Sequence, residues 1–122
     1  MVAFACLTLP AYCQQKPPEP QEPPEEDESS KVKEYSFNPL QASKEMRVGL
    51  YYMKKGKYKA AEHRFAEATK WDPSTAEGFL RLGEAREKLK DAAGAKEAYA
   101  KYLELAPDAK NAAAIRKKVG GK

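Results

Sequence analysis

The chain contains 122 residues, of which 42% are hydrophobic and 33% are charged, a composition that leaves room for one modest domain. Beyond residue 13 it has no apolar run near the roughly 18 residues that a membrane-spanning helix requires, which excludes such a span there. The net charge of +4 hides an asymmetry. Residues 14–30 hold one lysine against six carboxylates (net −5), whereas residues 31–122 hold 21 basic against 12 acidic side chains (net +9).

The first 13 residues, MVAFACLTLPAYC, have the apolar character and small terminal residues of a secretory signal and its cleavage site. A positively charged beginning is missing, which would follow if Met1 lay inside a longer signal. We predict a signal-like leader over residues 1–13 and a periplasmic or secreted protein. Two alternatives stay open: Cys13 or Cys6 is the lipidated cysteine of a membrane-tethered bacterial lipoprotein, or the segment is an unprocessed cytoplasmic tail.

A Pro- and Glu-rich segment follows. Residues 14–30, QQKPPEPQEPPEEDESS, contain no aliphatic or aromatic side chain, so they bury nothing that would offset the entropy lost on ordering. The prolines favour an extended backbone and the carboxylates repel one another. We predict a disordered linker over residues 14–37. Because both cysteines precede it, the rest of the chain has no disulfide and no cysteine ligand.

Capping and breaking residues predict five helices after this linker. Asn38 and Pro39 have the N-cap and first-turn pattern of a helix that runs to about Lys55, where Gly56 ends it. A return helix is expected over residues 58–71. The later helices are predicted to start at Ser74-Thr75-Ala76-Glu77, at Asp91 and at Asp108, the last of them ending near Val119.

The chain repeats itself with a period of 34 residues. Shifting residues 42–75 by that distance superimposes seven identical residues, where composition alone would produce about two or three. Gly49 and Gly83 are small where two helices of a pair must approach closely, and aromatic side chains fill the space around these contacts. Trp71 aligns with Leu105, which favours packing between helices over an exposed contact for a partner.

This period and these residue types resemble the tetratricopeptide repeat, whose pattern is a large apolar residue, Leu-Gly, an aromatic, then Ala, an aromatic, Ala and Pro. The pattern occurs in residues 42–75 and again in residues 76–109. The resemblance implies an all-α fold, with two tandem helix-turn-helix pairs over residues 38–109 forming a short α-solenoid and a capping helix over residues 110–122. The repeat-packing residues are Gly49, Tyr52, Ala61, Phe65, Pro73, Gly83, Ala95, Tyr99 and Pro107.

The sequence contains no catalytic or metal-binding constellation. His63 is the only histidine, and it has no second histidine at i+4 and no cysteine nearby. Glu84 and Glu87 lie three apart on one predicted helix, but Arg81 and Lys88 flank them, which favours surface ion pairing over acid-base catalysis. We therefore predict no enzyme activity, no cofactor, no metal and no small-molecule substrate.

A binding surface is the functional feature that remains. In proteins with this repeat, the first helix of each pair lines a concave groove, so the resemblance implies a groove for a protein or peptide. Met46, Leu50 and Met53 follow i, i+4, i+7 spacing, and methionine adapts well to varied partners. The predicted groove residues are Met46, Arg47, Leu50, Met53, Lys54, Leu80, Arg81, Glu84, Glu87 and Lys88, with Ser43 and Glu77 beside them.

The sequence thus predicts a non-enzymatic adaptor for protein–protein interaction in the bacterial cell envelope, with a weaker resemblance to the repeat-containing lipoproteins of outer-membrane protein assembly. One alternative is that the chain's own residues 31–41, for example Tyr35, Phe37 and Leu40, fill the groove. Another is a basic module for an anionic polymer such as nucleic acid or envelope polysaccharide. Nucleic acid is disfavoured because the cations are spread over helix faces rich in glutamate. Two repeats are fewer than the about three usually needed for stability, which leaves self-association open.

Overall fold

The computed structural model describes residues 34–120, and these residues form five α-helices and no strand. The predicted all-α class is therefore confirmed. The predicted leader and residues 14–33 of the predicted linker lie outside the described residues. The helices are α1 (Pro39–Lys54), α2 (Tyr58–Trp71), α3 (Ala76–Lys88), α4 (Ala92–Leu105) and α5 (Ala112–Gly120).

Side-chain caps start three of the helices. The Asn38 side chain accepts a hydrogen bond from the Gln41 amide at 3.0 Å and so starts α1. Asp91 caps α4 in the same way, also at 3.0 Å. In α3 the cap is Thr75, while the Ser74 hydroxyl turns back to donate to an aspartate. The helix starts expected from Asn38 and Asp91 are therefore confirmed.

The first helix of each pair ends in the same backbone motif. The residue after the C-cap is left-handed in both, with φ 75° at Gly56 and φ 63° at Lys90. In each case the next amide donates to the carbonyl five residues earlier at 2.9 Å, which satisfies a carbonyl that the helix end would leave unpaired. Glycine adopts this conformation freely, whereas an L side chain pays about 1–2 kcal/mol for it.

The fifth helix begins later than the sequence suggested. The prediction that Asp108 caps it is wrong, because residues 107–111 form turns and α5 starts at Ala112. The amide of Ala112 donates to the carbonyl of Ala109 at 2.9 Å, which closes the last of these turns. The Asn111 side chain accepts a 2.6 Å hydrogen bond from the Tyr102 hydroxyl, and this contact ties the start of α5 to α4.

Within each pair, a glycine lets the two helices approach closely. The ring of Phe65 from α2 lies against Gly49 of α1, so that a Cβ built on this glycine would lie 2.6 Å from Cδ1 of the ring. Gly83 of α3 and Tyr99 of α4 repeat this geometry, with the same 2.6 Å. Both rings are almost fully buried. The two pairs therefore pack by one rule: a small residue on the first helix receives an aromatic ring from the second.

The core runs continuously from the first pair to the second. Its largest buried cluster joins all four repeat helices, because Leu82 and Ala85 of α3 pack with Tyr52 of α1 and Phe65 of α2. A second cluster joins α4 to α5, and its members are Ala95, Tyr99, Tyr102 and Ile115. Among the described residues, no helix is both long and apolar enough to cross a lipid bilayer.

An arginine ties the pairs together at their edge. Arg86 of α3 donates from Nε to Glu62 of α2 at 3.3 Å and from Nη1 to the carbonyl of Gly94 in α4 at 3.0 Å. Its position corresponds to Tyr52 of the first repeat. The guanidinium thus replaces an aromatic packing residue by charge-assisted hydrogen bonds to two neighbouring helices.

Candidate functional site

The predicted groove residues lie on α1 and α3, and part of them belongs to the core rather than to an open surface. Met46 and Met53 of α1 are partly buried and pack against the cluster around Phe65. Leu80 of α3 likewise packs against the cluster around Tyr99. These three side chains lie between the core and the predicted groove, so their removal would destabilise the fold as well as change the surface.

Most charged side chains in the α3 half of the predicted groove form ion pairs within the chain. Arg81 lies between two carboxylates of its own helix, with Nη1 3.1 Å from Glu84 and Nη2 3.5 Å from Glu77. The third acidic residue, Glu87, contacts Lys118 of α5 at 3.0 Å. Of the charged groove residues predicted on α3, only Lys88 is without such a pair among residues 34–120, and its side chain is exposed.

Beneath this ion-paired surface lies Tyr99. Its side chain is almost fully buried, and the Lys118 ammonium lies 5.5 Å from the centre of its ring. Desolvation by burial raises the pKa of the Tyr99 hydroxyl, and the nearby carboxylate of Glu87 raises it further. The phenol therefore remains neutral over the whole physiological range and acts as a packing residue.

The α1 half is different, because its charged side chains point to solvent. Arg47 and Lys54 are exposed, and neither forms an ion pair with a carboxylate of the described part of the chain. Leu50 lies between them along the helix and is 38% exposed. The only acidic residue of α1, Glu45, is buried and accepts hydrogen bonds from Gln41 at 2.9 Å and Arg64 at 3.2 Å. The exposed side of α1 consequently carries cations without anions.

The described part of the leading segment, from residue 34 onward, does not cover this side of α1. Tyr35 packs edge-to-face on Trp71 at the end of α2, with ring centres 5.0 Å apart, and its hydroxyl donates to the carboxylate of Glu67. The amide of Asn38 donates to the carbonyl of Trp71 at 2.9 Å. The alternative in which Tyr35 fills the groove is therefore wrong. Trp71 is half-buried beneath Tyr35, as expected for a packing residue.

Two further apolar side chains of the leading segment, Phe37 and Leu40, are 70% and 67% exposed, and so they do not fill the groove either. Leu40 and Arg47 are separated by seven residues, as are Arg47 and Lys54, so the three lie on one side of α1. Leu50 falls within an arc of about 80° from them. We call Leu40, Arg47, Leu50 and Lys54 the α1 stripe. The sequence indicated Leu40 only as a residue that could fill the groove, because an exposed leucine just inside a helix start cannot be told from a buried one by spacing.

The residues predicted to pack the repeats lie where helices meet or turn. Gly49 and Gly83 contact their rings as described, and Tyr52 is buried in the core that joins the pairs. Ala61 and Ala95 are also buried. The two prolines lie in exposed turns after α2 and α4, at Pro73 and Pro107.

The described residues contain no cluster of three or more His, Cys, Asp or Glu side chains that would hold a metal ion. His63, the one histidine of the chain, lies exposed on α2. The site that the structure offers is a surface of exposed cations and apolar side chains, an arrangement suited to contact with another molecule.

Comparison with known protein families agrees with this architecture. The model of a family described as "Tetratricopeptide repeat" matches residues 46–75 and 76–109, together just over half of the chain. The second match spans α3 and α4, and the first spans α2 and most of α1, beginning four residues after the repeat boundary predicted at residue 42. A comparison with curated proteins gives no match. Two pairs that pack by the same glycine-to-ring contact and match one repeat model lead to one conclusion: the chain belongs to the tetratricopeptide repeat family.

Proposed function

We propose that this protein is a non-enzymatic adaptor that holds another polypeptide on the exposed side of its first repeat, in the bacterial cell envelope. Tetratricopeptide repeats generally mediate protein–protein interaction, which supports the adaptor role. The observation that carries the proposal is the α1 stripe, where exposed leucines alternate with cations that have no partner among residues 34–120.

The stripe has the composition of a contact surface rather than of an ordinary solvated helix face. Solvated faces carry charges of both signs that pair with one another, as on α3. On α1 the cations stand beside apolar side chains, and the buried Glu45 contributes no exposed negative charge. Exposed apolar groups rimmed by polar or charged residues mark many sites that a partner covers, and the charge complementarity of the cations adds to this.

The cellular setting is proposed from the sequence alone. The signal-like residues 1–13 support export, and the Pro- and Glu-rich residues 14–30 support a spacer that separates the repeats from a surface. A lipidated cysteine in the leader would tether the protein to a membrane. Mass analysis of the mature N-terminus would separate cleavage, lipidation and retention of the leader.

The adaptor role can be tested by site-specific photocrosslinking in the native cell. A photoreactive amino acid replaces Leu50 in one variant and the exposed Lys96 of α4 in a matched control. We expect a protein adduct at position 50 that is missing at position 96 and is lost when Arg47 is also changed to Glu. Equal adducts at both positions, or none at position 50, would contradict the proposal.

The salt dependence of binding and the chemical nature of the adduct at position 50 separate an adaptor from a binder of anionic polymers. A polyanion complex should weaken steeply between about 50 and 200 mM salt, because each contact releases bound counterions. Contact with an apolar residue depends much less on salt. An adduct at position 50 that contains nucleic acid or polysaccharide instead of protein would favour the polymer-binding alternative.

A further inference from the structure

We propose that the partner of the α1 stripe is an acidic amphipathic segment of another protein, with carboxylates spaced to meet Arg47 and Lys54 and apolar side chains between them to cover Leu40 and Leu50. This inference rests on the proposed function and adds the chemistry of the partner. Four exposed residues in one arc of a helix, two cationic and two apolar, carry it.

The charges of the stripe call for carboxylates. Arg47 and Lys54 lie about 10 Å apart along the axis of α1, since seven residues rise 1.5 Å each. Both cations are exposed, and the buried Glu45 is occupied by Gln41 and Arg64 on another side of the helix. A binding segment that brings a carboxylate to Arg47 would supply the kind of ion pair that its repeat equivalent, Arg81, already has within the chain, and a second carboxylate at this spacing would reach Lys54.

The apolar residues of the α1 stripe require a partner that also presents apolar side chains. Leu40 is 67% exposed and Leu50 is 38% exposed, and Phe37, at 70%, adjoins the start of the same helix. A purely polar partner would leave these side chains in water and gain nothing from them. A helix with apolar residues on the side that bears its carboxylates meets both requirements, as in helix-in-groove recognition.

The chain's own acidic segment supplies carboxylates but not the apolar side chains that the α1 stripe also requires. Residues 19–28 carry six carboxylates, but residues 14–30 contain no aliphatic or aromatic side chain. That segment can neutralise Arg47 and Lys54 without covering Leu40 or Leu50. Its carboxylates therefore make it a competitor for the cations rather than the full occupant.

A second copy of the stripe is also a poor occupant. In a two-fold symmetric dimer the same surface meets itself, so Arg47 and Lys54 would lie against the same two cations of the other copy. Residues 31–122 carry a net charge of +9, which adds to this repulsion. The stripe is thus better matched to an acidic partner than to itself.

The test uses the full chain and three labelled 18-residue helical peptides in a fluorescence anisotropy titration. The first peptide has leucines at i, i+3 and i+7 and glutamates beside them. The second replaces the glutamates by lysine, and the third keeps the glutamates but replaces the leucines by serine. We expect binding of the first peptide at least tenfold tighter than of either other peptide at 150 mM salt.

Two matched pairs of neutralising substitutions then locate the site. Arg47→Gln with Lys54→Gln should weaken binding of the first peptide about five- to tenfold, since two exposed ion pairs are lost. Lys96→Gln with Lys110→Gln removes the same charge elsewhere and should change it less than twofold. Leu50→Ser should also weaken binding, with helicity of every variant checked by circular dichroism.

Three results would overturn the inference. Equal binding of the serine peptide would show that carboxylates alone suffice, as in the chain's own residues 19–28. Equal weakening by the Lys96 and Lys110 pair would show only general charge attraction. A dimer that the Arg47 and Lys54 pair dissociates in sedimentation would make the second copy the occupant. If none of the peptides binds while a protein still crosslinks at position 50, the proposed adaptor role stands and only the inference of an acidic partner is rejected.

Discussion

Replacing Gly83 by alanine tests the close approach of α3 to α4. A Cβ at this position would lie 2.6 Å from Cδ1 and 2.9 Å from Cζ of the Tyr99 ring, well inside the roughly 3.5 Å at which carbon atoms attract one another. The ring cannot turn out of the way into solvent, because it is 1% exposed and held between α3, α4 and α5. The helices must therefore separate, or the ring must leave its rotamer.

The expected magnitude is a difference between two opposing effects. Overpacking of a buried contact costs about 2–3 kcal/mol, while alanine gains about 1 kcal/mol over glycine in helix propensity. We expect Gly83→Ala to lower the free energy of unfolding by about 1–2 kcal/mol. In a Tyr99→Leu background the ring is gone, so the same substitution should become neutral or stabilising.

Urea unfolding followed by circular dichroism at 222 nm measures all four members of this double-mutant cycle. Lys96→Ala and Lys96→Gly, on the exposed side of α4, give the propensity difference of alanine and glycine without a clash. If Gly83→Ala stabilises the protein by the amount that this pair predicts, the two helices do not approach as closely as the structure places them, and the reasoning fails.

Three further predictions concern the left-handed residues after two helices, the hydrogen bonds of Arg86 and the buried hydroxyl of Tyr99. Lys90→Gly should raise the free energy of unfolding by about 0.5–1 kcal/mol, since it relieves a left-handed lysine, whereas Gly56→Lys should lower it; urea unfolding of both variants checks the sign. Arg86→Ala should cost about 1–2 kcal/mol through loss of its hydrogen bonds to Glu62 of the first pair and to Gly94 of its own pair. Glu62→Gln should cost less because the amide oxygen still accepts, and equal costs would contradict this explanation. Burial raises the folded-state pKa of the Tyr99 hydroxyl above its unfolded value near 10. The stability that Tyr99 contributes is therefore fully present below pH 10, and above pH 10 it declines by up to about 1.4 kcal/mol per pH unit. Unfolding measured against pH should show that this part of the alkaline slope vanishes in Tyr99→Phe.

Much of the fold could be predicted because local rules decide it. The starts of α1 and α4 follow from single capping side chains, and the end of α1 follows from a glycine in a left-handed turn. The 34-residue period indicates two equal pairs, and the family match confirms them. The start of α5 could not be predicted, because Asp108 is as good a cap by sequence as Asp91. In the folded chain, residues 107–111 form turns instead, and the Tyr102 hydroxyl donates to the Asn111 side chain just before α5.

The candidate site was only half visible from the sequence. The resemblance to the repeat family placed the predicted groove residues on two helices, but it could not say which of them pack on the core and which remain exposed. Arg81 and Glu87 find partners on their own helix or on α5, and Met46 packs on the core. Arg47 and Leu50 keep their exposure because no neighbouring helix of the described chain covers that side of α1.

The sequence by itself determined the four repeat helices, the repeat and its small-residue contacts, because these depend on periodicity, capping and side-chain size within one repeat length. Only the tertiary structure decided that Tyr35 covers Trp71 instead of the α1 stripe, and that Glu87 pairs with Lys118 of α5. These outcomes depend on which side chains from distant segments reach one another. That is a property of the packed chain, and no residue pattern encodes it.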